Sequence, residues 1–236
     1  MKKIGMLLGL LLLSIGLVSC GKSDQKAFTN NLDNFYQAKA VKVDINSNDY
    51  GISLTQNKDN QALMASVTSQ GKKSNMVSDG KTSYIEATGI VENYGQNISD
   101  EAKAKLKGKY IKSDEATQAI QKQNLNILAN FAKSKDQLNK AIENSKVTKE
   151  KDGYLKVDVK VNDKDTNLKN LFASYGNNAK TLSLLSKGNR LVIEVKGDEN
   201  KTQKINMEAF DTDKKEIKLP DSQNVITMDQ LMQAVR

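Results

Sequence analysis

Val41, Val43 and Ile45 alternate with Lys42, Asp44 and Asn46, and after a polar gap Tyr50, Ile52 and Leu54 alternate again. A period of two sends every second side chain to one face, so these runs predict half-buried antiparallel strands. Leu63, Ala65 and Val67 continue the pattern, a turn at Gly71 leads to Met76 and Val77, and Asp79-Gly80 is a two-residue hairpin signal ahead of Tyr84 and Ile85. Upstream the period changes. Phe28, Leu32, Phe35 and Tyr36 stand at i, i+4, i+7 and i+8, one face of an amphipathic helix over 26–40. The first half thus reads as a helix followed by a meander of four or five strands.

The middle of the chain reads as helical. Ser99 opens "SDEAKAKLKG", with acids in its first turn and Gly108 just past its end. "KYIK" is a brief strand. Ser113 opens a longer helix carrying Ala116, Ile120, Ile127, Leu128 and Phe131, and Ser134 with Gln137 has the spacing of a capping box. Strands then return. Leu155, Val157, Val159 and Val161 alternate after Asp152-Gly153, and Leu191, Ile193 and Val195 face Ile205, Met207 and Ala209 across a hairpin. Between them "DTNLKNLFASYG" and "NNAKTLSLLSKG" read as helices. "EIKL" reads as a last strand, followed by Pro220 and a terminal helix capped by Thr227 and Gln230.

The amino-terminal segment follows different rules. Lys2 and Lys3 precede an uncharged apolar run from Ile4 to Val18. That run falls short of the roughly 20 residues a spanning helix needs and has the flanks of an export signal. It ends in Leu17-Val18-Ser19-Cys20, which resembles the lipobox of bacterial lipoproteins. The resemblance implies a signal peptide over 1–19, cleavage before Cys20 and a diacylglyceryl thioether, with palmitate-class acylation, on the Cys20 sulfur. Cys20 is the only cysteine, so an intrachain disulfide is excluded. Each buried methylene contributes about 0.8 kcal/mol, so two or more acyl chains hold stably. Residues 20–27 read as a short tether reaching about 20 Å at most, and 28–236 as one domain.

Removing the signal leaves 217 residues (236 minus 19) and lowers the formal charge from +8 to +6. The lysines are interleaved with acids and amides, Arg190 and Arg236 are the only arginines, and aromatics are 5%. Nucleic-acid binding calls for clustered cations with stacking aromatics, so that class is excluded. There is no histidine and no tryptophan. Ser-His-Asp and Cys-His catalysis, histidine-ligated zinc and histidine-ligated haem are therefore excluded too. "DKDTN" over 163–167 begins like a calcium loop but has Leu168 where glycine is needed and Ser174 where the bidentate glutamate belongs. Asp79, Asp152, Asp198, Glu199, Asp211 and Asp213 sit at turns rather than in a carboxylate pair. No enzyme activity, cofactor or metal is expected.

The order of elements, with "DGKTSYIEA", "GKYIK" and the tail "KLPDSQNVITMDQLMQ", resembles the LolA/LppX-like group of bacterial lipoprotein carriers and lipid-binding lipoproteins. The resemblance implies an α+β fold with a single strongly curved antiparallel sheet, a half-barrel with helices on its concave face. Between the layers it implies an apolar cavity for acyl chains, recognised by shape rather than by signature residues. From the residues themselves eight to ten strands are expected, with the helices between Ser99 and Ser145 on the sheet. Met64, Met76, Ile127, Leu128, Phe131 and Met207 are the cavity candidates, because flexible apolar side chains suit an adaptable pocket. The expected role is a monomeric, membrane-anchored extracytoplasmic lipoprotein that binds or carries a lipid at the cell surface. The alternative is a non-enzymatic structural or partner-binding lipoprotein with a solid core. A solute-binding protein of a transporter would want βαβ alternation instead. The lysine- and asparagine-rich composition favours a Gram-positive cell, and Gly21 an outer-membrane address if the cell has two membranes.

Overall fold

The computed structural model describes residues 22–46, 50–59, 61–93, 99–122, 131–160, 181–196, 202–214 and 217–235. Cys20 and the lipobox, Ile127, Leu128 and the calcium-like "DKDTN" lie outside them, as does the helix expected over "DTNLKNLFASYG". The fold is α+β with one large antiparallel sheet of 11 strands. The strands are β1 Ala40–Asn46, β2 Tyr50–Asn57, β3 Leu63–Ser69, β4 Lys72–Ser78, β5 Ser83–Glu86, β6 Tyr110–Lys112, β7 Val147–Lys149, β8 Leu155–Lys160, β9 Thr181–Lys187, β10 Arg190–Lys196 and β11 Thr202–Phe210. Their order across the sheet is β6-β5-β4-β3-β2-β1-β11-β10-β9-β8-β7. Helices are α1 over 22–37, α2 Ala87–Asn93, α3 Asp100–Leu106, α4 Asp114–Lys122, α5 Lys135–Glu143 and α6 Met228–Ala234. The chain contacts form two compact units, one of residues 1–37 with 131–204 and one of 38–130 with 205–236.

In the first unit the apolar periodicities close on each other. Phe28, Leu32 and Phe35 of α1 are buried, as are Leu138 and Ile142 of α5 and the alternating Val157, Val159, Leu182, Leu184, Leu191 and Ile193 of the strands. Burying side chains of this size contributes about 1.5–3 kcal/mol each. Polar pins fix α1 lengthwise. Gln25 Nε2 donates to the carbonyls of Ile142 and Glu143, Asn31 donates to Ser186 Oγ, and Asn34 donates to the Gly188 carbonyl.

In the second unit the meander pairs in register, with Leu54 opposite both Val43 and Ala65, and Ala65 opposite Met76. Asp79 stabilises the hairpin by accepting from the backbone N–H of Thr82 and Lys81, which Gly80 permits with φ +83°. Ala87 and Val91 of α2, Leu106 of α3, Ile111 of β6 and Leu231 of α6 form a separate buried cluster. The terminal helix has the expected capping box, Thr227 with Gln230. Ser99 and Ser113 cap as expected, accepting from the N–H of Ala102 and Ala116.

Five expectations are corrected. The stretch 181–187, read as helix from Leu182 and Leu185, is strand β9. Leu182 and Leu184 follow period two just as well, and pairing with β8 and β10 decides between the periods. This brings the sheet to 11 strands rather than eight to ten. Residues 217–219, the described part of "EIKL", are not strand. Ser134 does not cap α5: its backbone is helical, and its Oγ is buried and donates to the Phe131 carbonyl at 2.8 Å. Helix α2 follows β5 directly and carries no cap signal in the sequence. Residues 22–27, expected within the tether, are the first turns of α1.

Candidate functional site

The candidate site grows from one face of the meander. By strand pairing, Tyr50, Ile52 and Leu54 of β2, Val67 and Ala65 of β3, Met76 of β4 and Ile85 of β5 share a face. Gln56, Ser69, Lys72, Ser74 and Ser78 share the face with them, and it is not closed. Val67 is 41% and Tyr50 38% exposed. Ile52, Leu54, Met76 and Ile85 are only half-buried, whereas Leu63 and Ala65, together with Val41, Val43 and Ile45 of β1 on the same face, are buried. Helix cover reaches this face at β4, where Gly89 of α2 sits on Ser74. A Cβ on Gly89 would lie 2.9 Å from Ser74 Cα. That contact covers the face at β4 and leaves the β2 and β3 side partly open.

The strand faces of the first unit behave differently. Val157, Leu182, Leu184 and Leu191 are fully covered, and Phe131 is 1% exposed. The Phe131 ring lies 5.8 Å from that of Phe35 and 5.4 Å from that of Tyr36, so it fills an aromatic cluster. Tyr36 is pressed by this burial and by Asp33 and Asp136, which raise its phenol above the ordinary range. Lys135 lies 4.7 Å over the Tyr36 ring and 3.4 Å from Asp33.

The structure therefore divides the candidate residues. Met76 lies on the half-open apolar face, and Met207 is buried in β11. Met64 lies on the opposite face from Met76, because it pairs with Val77 and Thr55 while Ala65 pairs with Met76. Met64 is 40% exposed there. It borders an open hollow of about 470 Å³ whose lining also includes Ser53, Thr55, Lys73, Met76 and Val77. Asn75 donates to Glu86, and burial together with the Glu86 carboxylate raises the neighbouring Tyr110 phenol. The lining of this hollow is mixed, with Met64, Met76 and Val77 beside the polar residues. Met64 and Met76 thus alternate in the pleat yet both border this hollow. Phe131 falls in the first unit and these methionines in the second. The sequence reading missed Ile52, Leu54 and Val67 as site residues. Their period-two run was legible, but whether another layer covers it is a tertiary property.

No family model, curated protein or solved structure matches the chain. Among the described residues no helix is long and apolar enough to cross a membrane.

Proposed function

We propose that the chain is a lipid-anchored, extracytoplasmic lipoprotein without enzymatic activity, and that it holds an acyl chain or similar apolar ligand on its meander. The observation that carries the ligand is the half-open face of Ile52, Leu54, Val67 and Met76, set against the closed strand faces of the first unit. A soluble domain does not leave a contiguous apolar strand face partly wet without cost, and an apolar occupant removes that cost. The anchor rests on Leu17-Val18-Ser19-Cys20 after an apolar run. This reading includes the LolA/LppX-like half-barrel, supported by the α+β class, the single antiparallel sheet and the order of elements.

The test is titration of a fluorescent fatty-acid probe into delipidated chain carrying Cys20→Ser. Saturable binding that is lost in Leu54→Gln and Met76→Gln, with urea midpoints near that of the parent, supports the reading. Absence of saturable binding leaves the solid-core, partner-binding lipoprotein, which the filled cluster around Phe131 favours.

A further inference from the structure

Helix α1 is formed from residue 22, so a lipid on Cys20 would be followed by helix almost at once. Two residues span about 7 Å, which leaves the first unit little freedom to stand away from the bilayer. What lies around the first turn of α1 then decides what meets the headgroups. The two carbonyls that accept from Gln25, those of Ile142 and Glu143, mark the end of α5. From there the chain runs through Lys146 into β7, whose Val147 pairs with Val157. The neighbouring end of β8, Lys160, pairs with Thr181. Among the described residues, one end of the unit thus gathers Lys22 and Lys26 of α1, Lys140 of α5, Lys146 and Lys160, all exposed, with Asp24 and Glu143 as the acids beside them.

We infer that this end of the first unit is a docking surface for an anionic bilayer, on which the unit stands end-on. The inference rests on the lipidated Cys20 of the proposed function. Charge alone does not select this end, since Lys149, Lys151, Lys187 and Arg190 lie at the other. The anchor selects it. Helix α1, 16 residues over 22–37, is about 24 Å long. The far cations therefore stand well beyond the Debye length of about 8 Å from headgroups that touch its first turn. A side-on arrangement is less favoured, because the exposed positions of α1 after Lys26 are Ala27, Asn30, Asn34 and Gln37, none of them cationic. Lysines close to a negatively charged leaflet are attracted to it, and the attraction fades with salt.

The test uses the mature lipidated chain in vesicles of phosphatidylcholine with or without phosphatidylglycerol. Spin labels are placed on Asn144→Cys, at the proposed surface, or on Lys151→Cys, at the far end. With phosphatidylglycerol the label at 144 should collide several-fold more often with a membrane-phase relaxant than the label at 151. High salt, or Lys→Gln at 22, 26, 140, 146 and 160 together, should reduce that excess. Equal collision frequencies, or a higher one at 151, overturn the orientation while leaving the anchor intact. A chain that fails to float even with phosphatidylcholine vesicles overturns the anchor, and the docking surface with it.

Discussion

Gly89 owes its identity to space rather than to backbone conformation. A methyl group there would meet Ser74 Cα at 2.9 Å and the Lys73 carbonyl oxygen at 3.1 Å, both of them backbone atoms that cannot swing aside. Gly89→Ala should therefore cost about 1–3 kcal/mol by overpacking, read as a lower urea midpoint, although alanine is the better helix former. Asp79 gives a prediction in pH. Burial acts to raise its carboxyl, but the N–H groups of Thr82 and Lys81 outweigh that and hold it below the usual carboxylate range. A carboxyl depressed in the folded state contributes stability that is fully present above its unfolded value of about 3.9 and is lost as pH falls through its folded value. The wild type should lose hairpin stability from about pH 4 downward. Asp79→Asn should flatten that part of the profile, and amide exchange across Ser78–Ser83 would show it. The hairpin itself was legible in Asp79-Gly80. The close approach at Gly89 was not, because no local pattern announces which glycine a distant strand will touch.

Among the elements, the sequence is most legible where one period dominates. The alternation of β1 to β3 and the helical spacing of Phe28, Leu32 and Phe35 leave no rival pattern, and both formed, the helix over 22–37 rather than 26–40. Strand β9 shows why legibility fails. Leu182, Leu184 and Leu185 satisfy both periods, and only the neighbours β8 and β10 choose between them. Ser183 is buried in that strand and donates to Asp158, a partner that is 25 residues away in sequence. Ser134 failed as a cap for a similar reason, since the chain from Phe131 to Ser134 turns tightly enough to take its hydroxyl for the preceding carbonyl. The two kinds of apolar surface predict opposite mutational costs. Phe131→Ala empties a filled aromatic cluster and should cost about 3–5 kcal/mol. Met76→Ala, on a half-open face, should fall at or below the low end of the roughly 2–5 kcal/mol usual for such truncations. Paired denaturant titrations of the two variants compare them directly.

For the molecule as a whole, the fold class and the single antiparallel sheet were legible, whereas the uncovered face was not, since exposure depends on all layers together. On the lipobox reading, Cys20→Ser should abolish incorporation of radiolabelled fatty acid, and equal labelling of variant and wild type would end that reading. The strand order has a consequence in time. β11 lies between β1 and β10, and the Lys39 N–H beside β1 donates to the Phe210 carbonyl at the end of β11. β1 begins at Ala40 and β11 at Thr202, so a chain emerging from the ribosome displays the free edge of β1 until nearly all the rest has followed. An unpaired edge is a template for misassembly, and contacts so distant in sequence form slowly. The vulnerable period in the life of this protein is therefore its synthesis, and a chain stopped just before Thr202 would retain every other strand yet leave the edges of β1 and β10 open.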